Sequence, residues 1–366
     1  MDRNGSTAAV VTRSPLGSAR AVAGAAVGGV GTAVPERVIG NAPIAARLGV
    51  DDRWIVSRTG IRQRHALRDG ERLSRLAAEA GQAALESAEV DAADVDLVLV
   101  ATTSKDEITP DAAPQVAAEL GAHGAGAVDV GAACTGFIAA LALARGQIET
   151  GAAERVLVVG ADALVRYLDP DDKRTAALFG DGAGAVVVAA VDPPGRIGNP
   201  VLRADGTQAE LIYATHDERK LRMQGHETFK SAVQRLTEVT EEALSAANIE
   251  IEDIDLFVYH QANRRILSAV GERLALPEER VVDCIDRYGN TSAASIPLAL
   301  AEAQATGTLV DRSRLLLAAF GAGFTWGGLV VDWGLDGAKR RRTERRTTHQ
   351  KEVHDERHNG LRRQRV

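Results

Sequence analysis

The chain of 366 residues is 45% hydrophobic and 25% charged, a balance that supplies a substantial core for about two domain-sized units and reads as globular. Its two cysteines, Cys134 and Cys284, lack the CxxC or Cys/His spacing of a disulfide framework or a structural zinc site, so a reducing cytoplasmic setting is expected. No apolar run reaches the roughly 18 residues of a membrane span, and the N-terminus lacks the apolar core of a signal peptide, which argues against insertion and export.

Residues 1–20 show no apolar periodicity and are expected to form a flexible extension. From residue 21 onward, strands and helices alternate. The β-rich runs LVLV (97–100), AVDV (127–130) and VLVV (156–159) are each followed by an Ala/Leu-rich stretch of helical length, which predicts stacked α/β layers. Sliding the chain against itself divides it into halves at 21–195 and 196–335. AADVDLVLVATTS (92–104) is echoed by IEDIDLFVYHQAN (251–263), AVDVGAACTG (127–136) by VVDCIDRYGNTSAAS (281–295), and RVLVVGADA (155–163) by RLLLAAFGAG (314–323). Two such halves would gather the loops after matching strands at one cleft. Residues 336–366 are expected to be a disordered basic tail without assigned function. From residue 337 the tail holds eleven Lys/Arg against four Asp/Glu, so the net charge of −7 conceals a body of about −14.

The loops after those strands carry the chemistry. Cys134, in GAACTGF, follows a strand and opens an apolar helix, where free N–H groups and the helix dipole are expected to lower the thiol pKa and favour a nucleophilic thiolate. Cys284, expected on a strand, reads as a small buried hydrophobe. His260 ends LFVY and opens HQANRR; Asn290 lies in RYGNTSAASIP, in a turn leading to a helix capped by Thr291 or Ser292. Taken singly, each residue has a bland reading, as a packed thiol, a loop histidine or a turn asparagine. Together they suit decarboxylative condensation: loss of CO2 leaves an enolate, and an imidazole N–H with a carboxamide N–H stabilises its oxygen. The backbone amides of Cys134 and Ala322, the latter in FGAGFTWGG, would form a second hole for the tetrahedral intermediate.

The segments DDRWIVSRTGIRQRH, AACTGF, FGDGAGA, HQANRRI, GNTSAASIP and FGAGFTWG occur in an order and spacing that resembles the β-ketoacyl-acyl carrier protein (ACP) synthase III branch of the thiolase-like condensing enzymes. The resemblance spans nearly the whole folded part. It implies a homodimer with a five-layered α/β/α/β/α fold, in which Cys134 is acylated by acyl-CoA and His260 with Asn290 promotes decarboxylation of malonyl-ACP. It implies CoA contacts at Trp54, Arg58, Lys173 and Asn263, carrier-protein docking at Arg265, and an acyl pocket involving Phe320 and Thr109. The family's adenine-stacking Arg is Lys173 here, and Thr109 replaces a Phe that reaches into the partner subunit, suggesting starters longer than acetyl or branched. The stretch 206–225, which helps wall the pocket, looks shorter than in typical members. No metal or redox cofactor is implied, and neither membrane nor nucleic acid is an expected partner. A rival reading keeps the fold but transfers the acyl group to a hydroxyl or amine without decarboxylation; the intact His260 and Asn290 argue against it.

Overall fold

A computed structural model describes residues 23–336. The expected extension 1–20 and, beyond Asp336, the basic tail lie outside the described residues. The first half contributes strands β1 (Gly24–Ala33), β2 (Val38–Gly40), β3 (Gln63–His65), β4 (Leu97–Ala101), β5 (Gly126–Val130), β6 (Arg155–Ala163) and β7 (Asp181–Val191). Its helices are α1 (Asn41–Leu48), α2 (Asp52–Thr59), α3 (Leu73–Ser87), α4 (Ala112–Glu119) and α5 (Gly136–Glu149). The second half contributes β8 (Val201–Ala204), β9 (Ile212–Ala214), β10 (Leu221–Met223), β11 (Leu256–Tyr259), β12 (Arg314–Gly321) and β13 (Thr325–Asp332), with α6 (Gly225–Ala247), α7 (Arg264–Arg273), α8 (Ile285–Tyr288) and α9 (Ser295–Ala305).

The duplication read from the sequence is a duplication of topology. The first sheet runs β1, β7, β6, β4, β5 and the second β8, β13, β12, β11. Corresponding pairs share their sense: β1/β7 and β8/β13 are antiparallel, β6/β7 and β12/β13 antiparallel, β4/β6 and β11/β12 parallel. The echo fails at one place. Where the first half has β5, the second has a single bridge between Phe257 and Val281, and Cys284 is not on a strand but sits buried at the start of α8.

Periodicity decides the layers. Along β6, Val156 and Val158 face the middle of the molecule, whereas Leu157 and Val159 face the outer helices α3 and α4. A strand buried on both faces must be apolar throughout, which is why VLVV shows no alternation. The same logic separates the helices. In α5, Phe137, Ile138, Leu141, Ala144 and Ile148 are buried between the sheets beside Ile296 and Leu300 of α9. The longer α6 buries only one stripe, including Ala232, Leu236, Val239 and Ala243, against the outer face of the second sheet. The result is α/β/α/β/α, with α5 and α9 as the central layer.

Candidate active site

The chain reaches Cys134 through an elbow. After β5 the short turn Ala133–Thr135 precedes α5, and Ala133 adopts φ 47°, a left-handed conformation that L side chains rarely take. The second half repeats the device before α9 with the turn Ser292–Ala294, where Ser292 has φ 52°. The two elbows meet at the interface of the halves. Each is seated directly on a strand of a central sheet: a Cβ on Gly160 would come within 2.2 Å of the Ala293 carbonyl oxygen, and one on Gly321 within 2.9 Å of the Cys134 nitrogen. Thr135 and Thr325 tie the nucleophile elbow to the glycine loop, since Thr135 Oγ1 donates to the Thr325 carbonyl at 3.1 Å.

His260 leaves β11 with its backbone N–H donating to the Ala318 carbonyl at 2.9 Å. Gln261, next in sequence, fixes the turn: its Nε2 donates to the Tyr259 and Val282 carbonyls at 2.9 and 3.0 Å, and its Oε1 accepts from Cys284 N at 3.0 Å. Asn290 is held by its backbone, which bonds Leu178 O and Gly180 N at 2.9 and 3.0 Å. Its Oδ1 accepts from Ser292 N at 2.9 Å, which assigns the carboxamide NH2 as the end left for a ligand. Neither Thr291 nor Ser292 caps α9 by its side chain, contrary to the sequence expectation; the carboxamide of Asn290 serves the turn instead.

One cavity of about 410 Å³ collects these groups. Cys134, His260, Asn290, Ser292, Phe320 and Ala322 all line it. Its apolar wall includes Leu164, Leu178, Phe179, Leu221 and Met223, so the 206–225 segment does border the space, chiefly through the β9/β10 hairpin that follows its first turn. Trp54, Arg58, Lys173, Asn263 and Arg265 line the same cavity, with Arg58, Lys173 and Arg265 exposed. The Arg58 guanidinium lies over the Trp54 ring at 4.4 Å, and that of Arg265 over Phe229 at 5.5 Å.

One expectation changes. The Cys134 thiol pKa is not lowered on balance: burial pushes it up to about 12, with the Asp162 carboxylate adding to the rise and the Ser292 hydroxyl and a backbone hydrogen bond at Cys134 opposing it. Asn263 lines the cavity, but its carboxamide is engaged: Oδ1 caps α7 by accepting from Arg265 N at 2.9 Å, and Nδ2 donates to the Arg58 carbonyl at 3.0 Å. Thr109 is exposed on the loop between β4 and α4 and does not line the cavity of its own chain. Burial also drives the His260 pKa down to about 3, so the imidazole is neutral at pH 7.

Sequence reasoning missed Ser292, Gln261 and Asp162. Asp162 is wholly buried; its Oδ1 accepts from Thr103 N at 2.9 Å and Ser104 Oγ at 2.6 Å, and its Oδ2 from Ala293 N at 3.2 Å. An acid inside the apolar run VVGADA is the available signal, because a buried carboxylate requires several donors.

Matched sheets meeting at a shared cavity, with a cysteine on the elbow of one half and a histidine and asparagine from the other, define a thiolase-like condensing enzyme. The family 3-oxoacyl-[acyl-carrier-protein] synthase III matches residues 128–206, and its C-terminal counterpart residues 244–333. The chain is 47% identical to β-ketoacyl-[acyl-carrier-protein] synthase III 2 of Streptomyces coelicolor, over 85% of this chain and 94% of that one. Two solved structures superpose closely. The synthase III of Thermus thermophilus gives a TM-score of 0.82 at 45% identity, covering 86% of this chain and 100% of its own. The priming β-ketosynthase of the R1128 polyketide biosynthetic pathway gives 0.84 at 34%, covering 87% and 99%. The chain belongs to the β-ketoacyl-ACP synthase III family.

Proposed function

We propose that this chain is a decarboxylating 3-oxoacyl-ACP synthase of type III, which primes fatty acid or polyketide synthesis by joining an acyl-CoA starter to malonyl-ACP. The observation that carries this reading is a single cavity lined by Cys134, His260 and Asn290, in which Asn290 has its carboxamide oxygen already engaged and its NH2 free.

In the first half-reaction, CoA lies along the mouth, with adenine against Trp54 and phosphates near Arg58 and Lys173. Cys134 Sγ attacks the thioester carbonyl, the Cys134 and Ala322 amides hold the oxyanion, and CoA departs with the thiol proton. In the second, malonyl-ACP arrives past Arg265, whose positive charge suits an acidic carrier. Cleavage of the C–CO2 bond leaves an enolate, whose oxygen receives hydrogen bonds from the His260 imidazole N–H and the Asn290 carboxamide. Its carbon attacks the acyl thioester, and the Cys134 thiolate is expelled. A neutral imidazole suits this role, because the step asks for a hydrogen-bond donor rather than a strong acid. Decarboxylation supplies the driving force, so the chemistry requires no metal or redox cofactor.

The assembly is a homodimer of the cytoplasm. Two features support the dimer: β5 is the open edge of its sheet with Val128 51% exposed, and the neighbouring loop presents Ile108 at 84% exposure next to Thr109. On that face Thr109 would reach a partner's acyl pocket, where its small size admits starters longer than acetyl or branched. Unpaired Cys134 and Cys284 fit a reducing compartment, and no helix among the described residues is long and apolar enough to cross a membrane. Incubation with acyl-CoA and carboxyl-labelled malonyl-ACP tests the reaction. Labelled CO2 and a β-ketoacyl-ACP two carbons longer than the starter are expected; acyl transfer without CO2 would refute it.

A further inference from the structure

Asp162 occupies the place in β6 that Gly321 occupies in β12 when the two strands are aligned from Arg155 and Arg314. Gly321 seats the nucleophile elbow by having no side chain, since a Cβ there would lie 2.9 Å from Cys134 N. Asp162 meets the second elbow with a carboxylate, whose Oδ2 accepts from Ala293 N at 3.2 Å. A strand of matching topology thus closes on its elbow without an acid, so the fold alone does not call for one. Asp162 is 0% exposed, and a carboxylate taken out of water is strongly unfavourable unless donors surround it. Its Oδ1 accepts from Thr102 Oγ1 at 3.2 Å, Thr103 N at 2.9 Å, Thr103 Oγ1 at 3.3 Å and Ser104 Oγ at 2.6 Å. These donors belong to the turn after β4, of which Thr103 lines the cavity. One carboxylate therefore spans the boundary between the halves, with the first half on one oxygen and the second on the other.

The elbow held by Asp162 also holds Asn290. Two side chains take successive amides of the turn: Asn290 Oδ1 accepts from Ser292 N at 2.9 Å, and Asp162 Oδ2 from Ala293 N. Without the second bond the turn is free to relax from the strained φ 52° of Ser292, and the amide that fixes the Asn290 carboxamide moves with it. We propose that Asp162 is a positioning residue for decarboxylation: by holding Ala293 N across the boundary it keeps Ser292 N on Asn290 Oδ1, and so keeps the Asn290 NH2 directed at the enolate oxygen. This inference rests on the reading of Asn290 as a donor to that enolate. Asp162 does not line the cavity, so it acts through the elbow and not on substrate.

The test replaces Asp162 by Asn and by Ser, each alone and together with Asn290→Ala. Asparagine keeps the shape, and with its oxygen left among the Thr103 and Ser104 donors its NH2 meets the Ala293 N–H, donor against donor. Serine is too short to reach both sides. Decarboxylation is read as labelled CO2 from carboxyl-labelled malonyl-ACP, and acylation as the mass gained at Cys134 from acyl-CoA. In each single variant decarboxylation is expected to slow about 10- to 100-fold, while acylation stays within about threefold of the original. In the Asn290→Ala background the same replacement should slow decarboxylation by less than about threefold more, because the group through which Asp162 acts is already gone. Equal losses in both half-reactions overturn the proposal, as do losses that multiply with that of Asn290→Ala. Failure of both single variants to give a cooperative urea melt also overturns it, since Asp162 then serves folding alone. Decarboxylation at the original rate in Asn290→Ala would defeat the underlying reading, whereas multiplying losses beside a slow Asn290→Ala defeat only the role of Asp162.

Discussion

Asn290 Oδ1 accepts the backbone N–H of Ser292 at 2.9 Å, so one carboxamide both closes the second elbow and points its NH2 end to the substrate space. Replacing Asn290 by Ala is therefore expected to leave acylation of Cys134 measurable while slowing malonyl decarboxylation about 100- to 1,000-fold, the usual cost of one oxyanion donor. Asn290→Asp keeps the acceptor for Ser292 but sets a carboxylate against the enolate, and should decarboxylate no faster than the Ala variant. Stopped reactions that count CO2 separately from acyl-enzyme check both; a decarboxylation rate within threefold of the original would contradict the assignment.

Cys134→Ala should abolish the mass increase seen on mixing with acyl-CoA. Intact-mass spectrometry with a panel of CoA thioesters reads this directly, and the same panel on the unaltered protein reports which starters the cavity accepts. A persistent acyl adduct in the variant would place the nucleophile elsewhere.

Gly321 abuts the nucleophile, with a Cβ placed there lying 2.9 Å from Cys134 N and 3.1 Å from its Cβ. Gly321→Ala must displace the elbow or the strand, and the expected outcome is a loss of about 1–3 kcal/mol in stability together with at least a tenfold slower acylation. Denaturant melts and burst-phase acylation measure the two effects. Normal acylation in a stable variant would mean that the elbow is less closely seated than the distances imply.

Trp54 and Arg58 offer a binding test that leaves the chemistry alone. With the guanidinium 4.4 Å from the indole centroid, the pair forms one face of the cavity mouth. Trp54→Ala is expected to raise KM for acyl-CoA about three- to tenfold, matching about 0.5–1.5 kcal/mol of lost stacking, with iodoacetamide alkylation of Cys134 unchanged. Equal losses in both measurements would point to a collapsed site in place of lost CoA binding.

Asp181 gives a pH prediction. Its carboxylate oxygens accept from Val165 N and Leu67 N, both at 2.9 Å, but burial dominates and pushes the carboxyl up to about 6 from 3.8. The folded state thus binds its proton more tightly than the unfolded chain, so between about pH 4 and pH 6 it holds more protons and stability falls as pH rises through that window. The contribution is present below the lower value and lost above the upper one, with a ceiling of about 3 kcal/mol. Urea midpoints measured from pH 4 to pH 7 should show this slope in the unaltered protein and a flatter one in Asp181→Asn; parallel curves would rule it out.

Much of the architecture is legible in the order of the residues. Uniform apolar strands such as VLVV and the all-round apolar helix after Cys134 require burial on every side, and only a layered sheet arrangement provides it. The repeat loses its legibility at 281–284, where the β5 equivalent shrinks to one bridge; a short apolar run does not reveal whether a neighbouring strand is there to pair with it. The motif HQANRR suggests a ligand contact for Asn263, but an Asn one residue before a helix serves equally well as its cap, and the geometry shows that it does.

What the amino-acid order alone determined was which residues are chemically available and in what register: a cysteine before an apolar helix, a histidine ending a buried strand, an asparagine in a turn, and two halves that repeat. Tertiary structure decided what each of them is worth. The direction of the Cys134 and His260 pKa shifts, the meeting in one cavity of Ser292 and Cys134, 158 positions apart, and the absence of Thr109 from that cavity all depend on desolvation and packing between segments remote in sequence. Local pattern carries the preferences of a helix start or a turn, but solvent exclusion at the meeting of two halves is a property of the assembled fold, and at Cys134 it outweighs the hydrogen bonds that favour the thiolate.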